Sequence, residues 1–134
     1  MSIRLIPPTT ELSSPYWAAA ARGELVIQAC RSCGSRPFPP RAHCPQCGTG
    51  ELAWEPVSGR GSVYTYTVAR RAPHPVFAEQ IPLVVAVVEL EEGPRLMTNI
   101  VGCDPAEVSV GMAVEVDFDP IDDSELVLPV FRPC

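Results

Sequence analysis

Cys30-Arg31-Ser32-Cys33 and Cys44-Pro45-Gln46-Cys47 are two CxxC pairs with ten residues between them. Two such knuckles place four thiolates at the corners of a tetrahedron, the arrangement preferred by a d¹⁰ ion such as Zn²⁺. Gly34 and Gly48 follow the pairs directly. Glycine there lets each knuckle turn so that backbone N–H groups point at sulfur. The pattern points to a closed structural Zn(Cys)₄ site. Rubredoxin-type iron, a pair of disulfides and unligated thiols are the alternatives that fit the same spacing. With cysteine at all four positions, no coordination site is left for water or substrate. The expected ion therefore builds a fold, and the function has to be sought elsewhere.

Other residues with chemical capacity are few. Arg36, Arg41, Arg60, Arg70 and Arg71 are candidates for holding phosphates, because the planar guanidinium pairs bidentately with them. Solubilising surface arginines are the plainer reading. Tyr64 and Tyr66 suit the core better than a stacked adenine. His43, beside Cys44, and His74, between Pro73 and Pro75, are the two histidines and read as surface and loop residues. Cys103 reads as a small hydrophobe and Cys134 as a free thiol. The sequence contains no GxSxG, HExxH or Walker loop. No catalytic residue is assigned.

The elements that must position these groups are legible from pattern. Residues 14–23 predict a short helix with Ser14 as N-cap, Pro15 in the first turn and Gly23 as stop. Two turns do not hold alone in water, so Tyr16 and Trp17 either pack on this chain's own core or anchor a partner. Residues 24–29 and 51–57 predict strands on either side of the knuckles, the layout of a zinc ribbon. From Ser58 onward the texture is β only. Val63, Thr65 and Thr67 alternate with Tyr64, Tyr66 and Val68. The apolar run at 82–90 predicts a strand buried on both faces, and Glu91–Pro94 a hairpin turn. Met112, Val114, Val116 and Phe118 alternate with Glu115, Asp117 and Asp119. Five short strands predict a small barrel of OB type. The fold class expected is thus mainly β: a helical segment at 1–23, a rubredoxin-like zinc ribbon at 24–57 and an OB-fold barrel at 58–134.

The 134 residues suffice for one real core. The ribbon has few large apolar groups and depends on its metal, worth on the order of 10 kcal/mol. All ten basic residues are arginine, and eight of them fall within residues 1–75, whereas twelve of the sixteen acids lie beyond. A net charge of −6 argues against a general nucleic-acid binder. Closely spaced cysteines without a leader-like start predict a reducing cytoplasm. The longest apolar run is too short for a bilayer, so no membrane association is expected.

The segments SPYWAAAARGEL, CRSCGSRPFPPRAHCPQCG, GRGSVYTYTV, VVELEEGPRLMTNIVGCDP, GMAVEV and LPVFRP together resemble the DUF35 family over nearly the whole chain. That family joins a zinc ribbon to an OB fold. The resemblance implies an accessory chain for acyl-CoA enzymes: thiolases, related synthases and lipid-transfer-protein-like aldolases, with some members fused to MaoC-type hydratase domains. The lysine-free composition is similar to that of actinobacterial members. In their steroid side-chain degradation, a thiolase-fold aldolase cleaves a β-hydroxyacyl-CoA by a retro-aldol step. The resemblance further implies a structural Zn²⁺, acyl-CoA at a shared interface and a complex of two plus two chains. An exposed apolar surface around Tyr16, Trp17 and Phe131 is expected to meet the partner. Competing readings are a single-stranded nucleic-acid binder, an accessory domain of a hydratase or thiolase, and an iron-bearing electron carrier.

Overall fold

The computed structural model describes residues 9–48, 51–72, 75, 78, 80–122 and 124–134. Among the described residues one α-helix, α1 (Ser14–Ala21), precedes seven strands: β1 (Val26–Cys30), β2 (Leu52–Pro56), β3 (Arg60–Ala69), β4 (Leu83–Leu90), β5 (Arg95–Asn99), β6 (Ala113–Pro120) and β7 (Val127–Pro133), with a 3-10 turn (Pro105–Glu107) between β5 and β6. β1 and β2 form an antiparallel pair that carries the knuckles between them. The other five strands form a sheet in the order β5-β4-β3-β6-β7. A parallel bridge from Ile100 to Phe131 and a 2.8 Å bond from Val101 N–H to the Phe131 carbonyl draw its two ends together. This is the nearly closed five-stranded barrel of an OB fold.

The helix begins one residue earlier than its sequence suggests. Ser13, not Ser14, is the N-cap, and its side chain makes no bond to the helix. Thr10 and Ser13 instead exchange bonds: Ser13 N–H donates to Thr10 Oγ1 (3.1 Å) and Thr10 N–H to Ser13 Oγ (3.0 Å). A reciprocal pair three residues apart has the logic of a capping box. It closes the turn before α1, and Gly23, at φ +79°, ends the element.

Two expectations about strand faces are corrected. β4 is not buried on both faces: Val84, Ala86, Val88 and Leu90 point into the core, while Leu83, Val85, Val87 and Glu89 are half-exposed. In β3 the register against β4 slips at Tyr64, which is left as an extra residue between Val63 and Thr65. A bulge transposes every later side chain to the opposite face. Val63 is therefore inward, and after the slip Tyr66 and Val68 pack on the core while Thr65 and Thr67 face out. Tyr64 is 48% exposed, and the Arg95 guanidinium lies 3.9 Å from its ring centroid.

The core does not stop at the ribbon. Leu25, just before β1, and Ile27 within it join Val63, Val88, Leu96, Val114 and Phe131 of the barrel in one buried cluster. Every residue of β1 is buried. Linker and barrel are latched as well: Ser58 N–H donates to a Glu92 carboxylate oxygen at 2.8 Å, and Val116 N–H to the Gly59 carbonyl at 2.7 Å. Gly59 has φ +77°, and a β-carbon there would collide with the Val116 side chain. Gly59→Ala should lower the unfolding free energy by about 2–4 kcal/mol, from backbone strain plus overpacking. Phe131→Ala should cost about 3–5 kcal/mol as a core cavity. Urea titrations of the two variants check both.

Candidate metal centre and the surfaces around it

The knuckles are near copies of one another. Gly34 N–H donates to the Cys30 carbonyl and Gly48 N–H to the Cys44 carbonyl, both at 2.9 Å, with φ of +77° and +78°. The four sulfurs lie within 4.8 Å of one another, with Cys30–Cys47 at 3.5 Å and Cys33–Cys44 at 3.6 Å. A Zn–S bond of about 2.3 Å implies tetrahedral edges of about 3.8 Å. A disulfide needs about 2.05 Å, so the sulfurs are unbonded to each other and the donor set fits a structural zinc ion. Cys30 and Cys44 are buried, and Cys33 and Cys47 are at the surface.

Surrounding donors prepare the Cys44 thiolate, whereas the Cys33 thiol is pushed up. Ser35 Oγ lies 3.3 Å from Cys44 Sγ. That hydroxyl, with backbone N–H groups of Cys47 and Gln46, holds the Cys44 thiol down to about 6. Ser35 also uses its carbonyl to accept from Cys30 N–H at 2.8 Å. The loop between the knuckles is held by Gln28, which is 4% exposed. Its amide donates to the Arg41 carbonyl (3.0 Å) and accepts from Arg41 N–H (2.7 Å). A buried amide satisfied on both sides imposes one loop geometry. Neither Ser35 nor Gln28 stands out in the sequence. The one signal is a lone amide side chain inside the apolar run Leu25–Cys30.

The five arginines do not converge. Arg60 opens β3 and Arg70 follows its end, so a ten-residue strand holds them about 30 Å apart. Arg36 pairs with Glu55 at 3.6 Å, and its Nη1 is buried without a hydrogen-bond partner. Arg41, Arg70 and Arg71 are exposed, and only the last two are neighbours in the chain. Arg60 and Arg70 are therefore too far apart to grip the same phosphate. Of the expected surface anchors, Phe131 is wholly buried at 0% exposure, because β7 turns it into the common core. Tyr16 packs against that core as well, and burial pushes its hydroxyl up to about 12. Trp17 remains half-exposed. His43 is exposed and His74 lies outside the described residues. Cys103 is half-buried, with its thiol pushed up by burial and then by Glu107 and Asp104. Cys134 is exposed.

Two family models match the chain: the ChsH2 rubredoxin-like zinc ribbon domain over residues 17–53 and the ChsH2 C-terminal OB-fold domain over residues 54–119. A solved structure described as an Ltp2-ChsH2(DUF35) aldolase superposes with a TM-score of 0.85 at 43% identity, covering 96% of this chain and 98% of that one. The chain belongs to the DUF35 family. The probable enoyl-CoA hydratase alpha subunit of Thermomonospora curvata is 44% identical over 95% of this DUF35 chain. The 3-oxo-4,17-pregnadiene-20-carboxyl-CoA hydratase alpha subunit of Mycobacterium tuberculosis is 33% identical over 90% of it. The chain spans only 39% and 38% of those two relatives' lengths. No helix among the described residues is long and apolar enough to cross a membrane.

A thiol held at about 6 contributes its ionised form in full above the ordinary 9.0 and loses it as pH falls through about 6. Proton competition for the ligands acts in the same direction. The protein should be colourless and carry one zinc per chain at pH 7, by elemental analysis. Zinc should bind progressively more weakly as pH falls, and Cys44→Ser should abolish stoichiometric binding.

Proposed function

We propose that this chain is a non-catalytic subunit of an acyl-CoA-processing complex, paired with a thiolase-fold, lipid-transfer-protein-like aldolase. The reaction would be retro-aldol cleavage of a steroid side-chain β-hydroxyacyl-CoA, a carbon–carbon lyase step carried by the partner's side chains. The observation that carries this reading is the 98% coverage of the DUF35 chain in the Ltp2-ChsH2(DUF35) aldolase at 43% identity. The steroid assignment draws on the relative named for a pregnadiene carboxyl-CoA. The metal centre supports a scaffolding role, since four thiolates saturate the ion and leave it no Lewis-acid position.

On this reading the chain supplies a wall of the substrate path in a complex of two plus two chains. Arg70 and Arg71, adjacent and exposed at the end of β3, are the two candidate arginines that can meet CoA phosphates at one place. A second reading is a domain serving a hydratase, favoured by the two hydratase alpha-subunit relatives.

Co-expression with a thiolase-fold aldolase from the same organism should give one size-exclusion peak containing both proteins. That complex should release the shortened acyl-CoA, whereas the DUF35 chain alone should show no turnover. Separate peaks with the aldolase and a joint peak with a MaoC-type hydratase would favour the second reading. Arg70→Ala combined with Arg71→Ala should raise the KM for acyl-CoA about tenfold, the size of one lost charge-assisted contact.

A further inference from the structure

Strand β5 is bonded to β4 on one side, and the parity of that ladder decides what its other side offers. Leu90 N–H donates to the Pro94 carbonyl at 2.9 Å, and the register then runs without a slip from Glu89–Arg95 to Val85–Asn99. Bonded and non-bonded pairs alternate along an antiparallel ladder. Leu96 and Thr98 therefore turn their backbone groups toward β4, whereas Arg95, Met97 and Asn99 turn theirs away. Val101 has the same parity, and its N–H does point outward, to the Phe131 carbonyl at 2.8 Å.

β7 takes up this outward edge at one end only. It meets β5 at the Ile100–Phe131 bridge, and two residues earlier it presents Pro129, which has no N–H to donate. Among the described residues, the backbone N–H and C=O groups of Arg95 and Met97 have no backbone partner. A hollow of about 190 Å³ lies between Met97, Thr98, Leu128 and Pro129. Met97 is 77% exposed, so the edge is open. The Arg95 side chain does not shield it, because its guanidinium lies over the Tyr64 ring at 3.9 Å and bonds Glu89 at 2.9 Å. Edges are ordinarily blocked by a lysine, a proline or a bulge, and β5 has none of the three.

Two outward residues spaced two apart are self-complementary. A twofold axis through Leu96 sets Arg95 against Met97 of a second copy, and Met97 against that copy's Arg95. All the open groups then pair, in four N–H···O=C bonds. The side chains that meet are a guanidinium stem and a thioether rather than two like charges, and each Arg95 keeps its own Glu89. Single-stranded nucleic acid fits this face less well, because the Tyr64 ring that would stack a base is already covered by Arg95.

We propose that the outer edge of β5 is a self-association site, where a second copy adds its own β5 antiparallel about Leu96 and joins two barrels in one sheet. The contact is small, so the pair is transient. This inference is independent of the acyl-CoA reading.

The test is amide hydrogen exchange of the zinc-loaded chain from about 20 μM to about 1 mM, with sedimentation alongside. In dilute solution the Leu96 and Thr98 amides should be protected and those of Arg95 and Met97 should exchange freely. At the upper concentration the chain should dimerise, and the Arg95 and Met97 amides should slow about fivefold or more. Met97→Lys sets an ammonium beside the other copy's Arg95, twice per dimer, and should weaken association about tenfold. Met97→Glu removes the same apolar area but faces Arg95 with an opposite charge, and should leave association intact or tighter. Retained zinc and unchanged circular dichroism certify each fold. A wild-type chain that stays monomeric throughout overturns the site. So does a dimer whose Arg95 and Met97 amides exchange as before, or equal behaviour of the two Met97 variants.

Discussion

Strand β1 is covered on both sides, and the rest of the molecule depends on that. Leu25 and Ile27 reach into the barrel core, while Gln28 faces the loop that carries Arg41. The strand then runs directly into the first knuckle at Cys30. A metal that ties Cys30 to Cys44 and Cys47 therefore orders more than a surface loop. It fixes the end of a strand that belongs to the central hydrophobic cluster. Ribbon and barrel share one hydrophobic cluster, and the apolar area between them is removed from water.

That continuity suits the proposed accessory role, in a chain whose four cysteines would leave a bound ion no open coordination position. A scaffold must present surface in one geometry, and geometry here is over-determined. The four sulfurs hold the knuckles, the Gln28 amide holds the loop between them, and Glu92 holds the linker to the barrel. The helix is short, but Tyr16 inserts it between Phe38 and Trp54. Of these contacts, the Gln28 amide is the one that satisfies a fully buried polar group, which would otherwise be buried at a cost. Both indoles of that cluster, Trp17 and Trp54, remain half-exposed.

The barrel contributes in a different way. Its closure between β5 and β7 depends on few backbone bonds, supplemented by Thr98 Oγ1 donating to the Pro129 carbonyl at 3.4 Å. Pro129 has no N–H with which to continue a ladder. The outer face over Val85, Val87 and Met97 is apolar, and two shallow hollows of about 210 and 190 Å³ meet there. The acids of β6 lie on a separate stretch of surface, where Arg132 reaches Glu115 at 3.7 Å.

The linear order of residues was enough for everything governed by local spacing. The four ligands, the glycines behind them, the hairpin at Glu91–Pro94 and the alternation of β6 all arise from short-range geometry, and the structure agrees. Spacing cannot report which face of an element meets which neighbour. The bulge at Tyr64 exchanges the faces of β3 because β4 pairs on both sides of an unmatched residue. Phe131 turns inward because β7 closes the barrel, and Arg60 and Arg70 are parted because a ten-residue strand lies between them. Trp54 became part of a surface only when α1 and the ribbon brought it to Tyr16. Chemistry carried by neighbours in the chain was legible; chemistry assembled across the fold was decided by packing, which acts on pairs that the sequence keeps far apart.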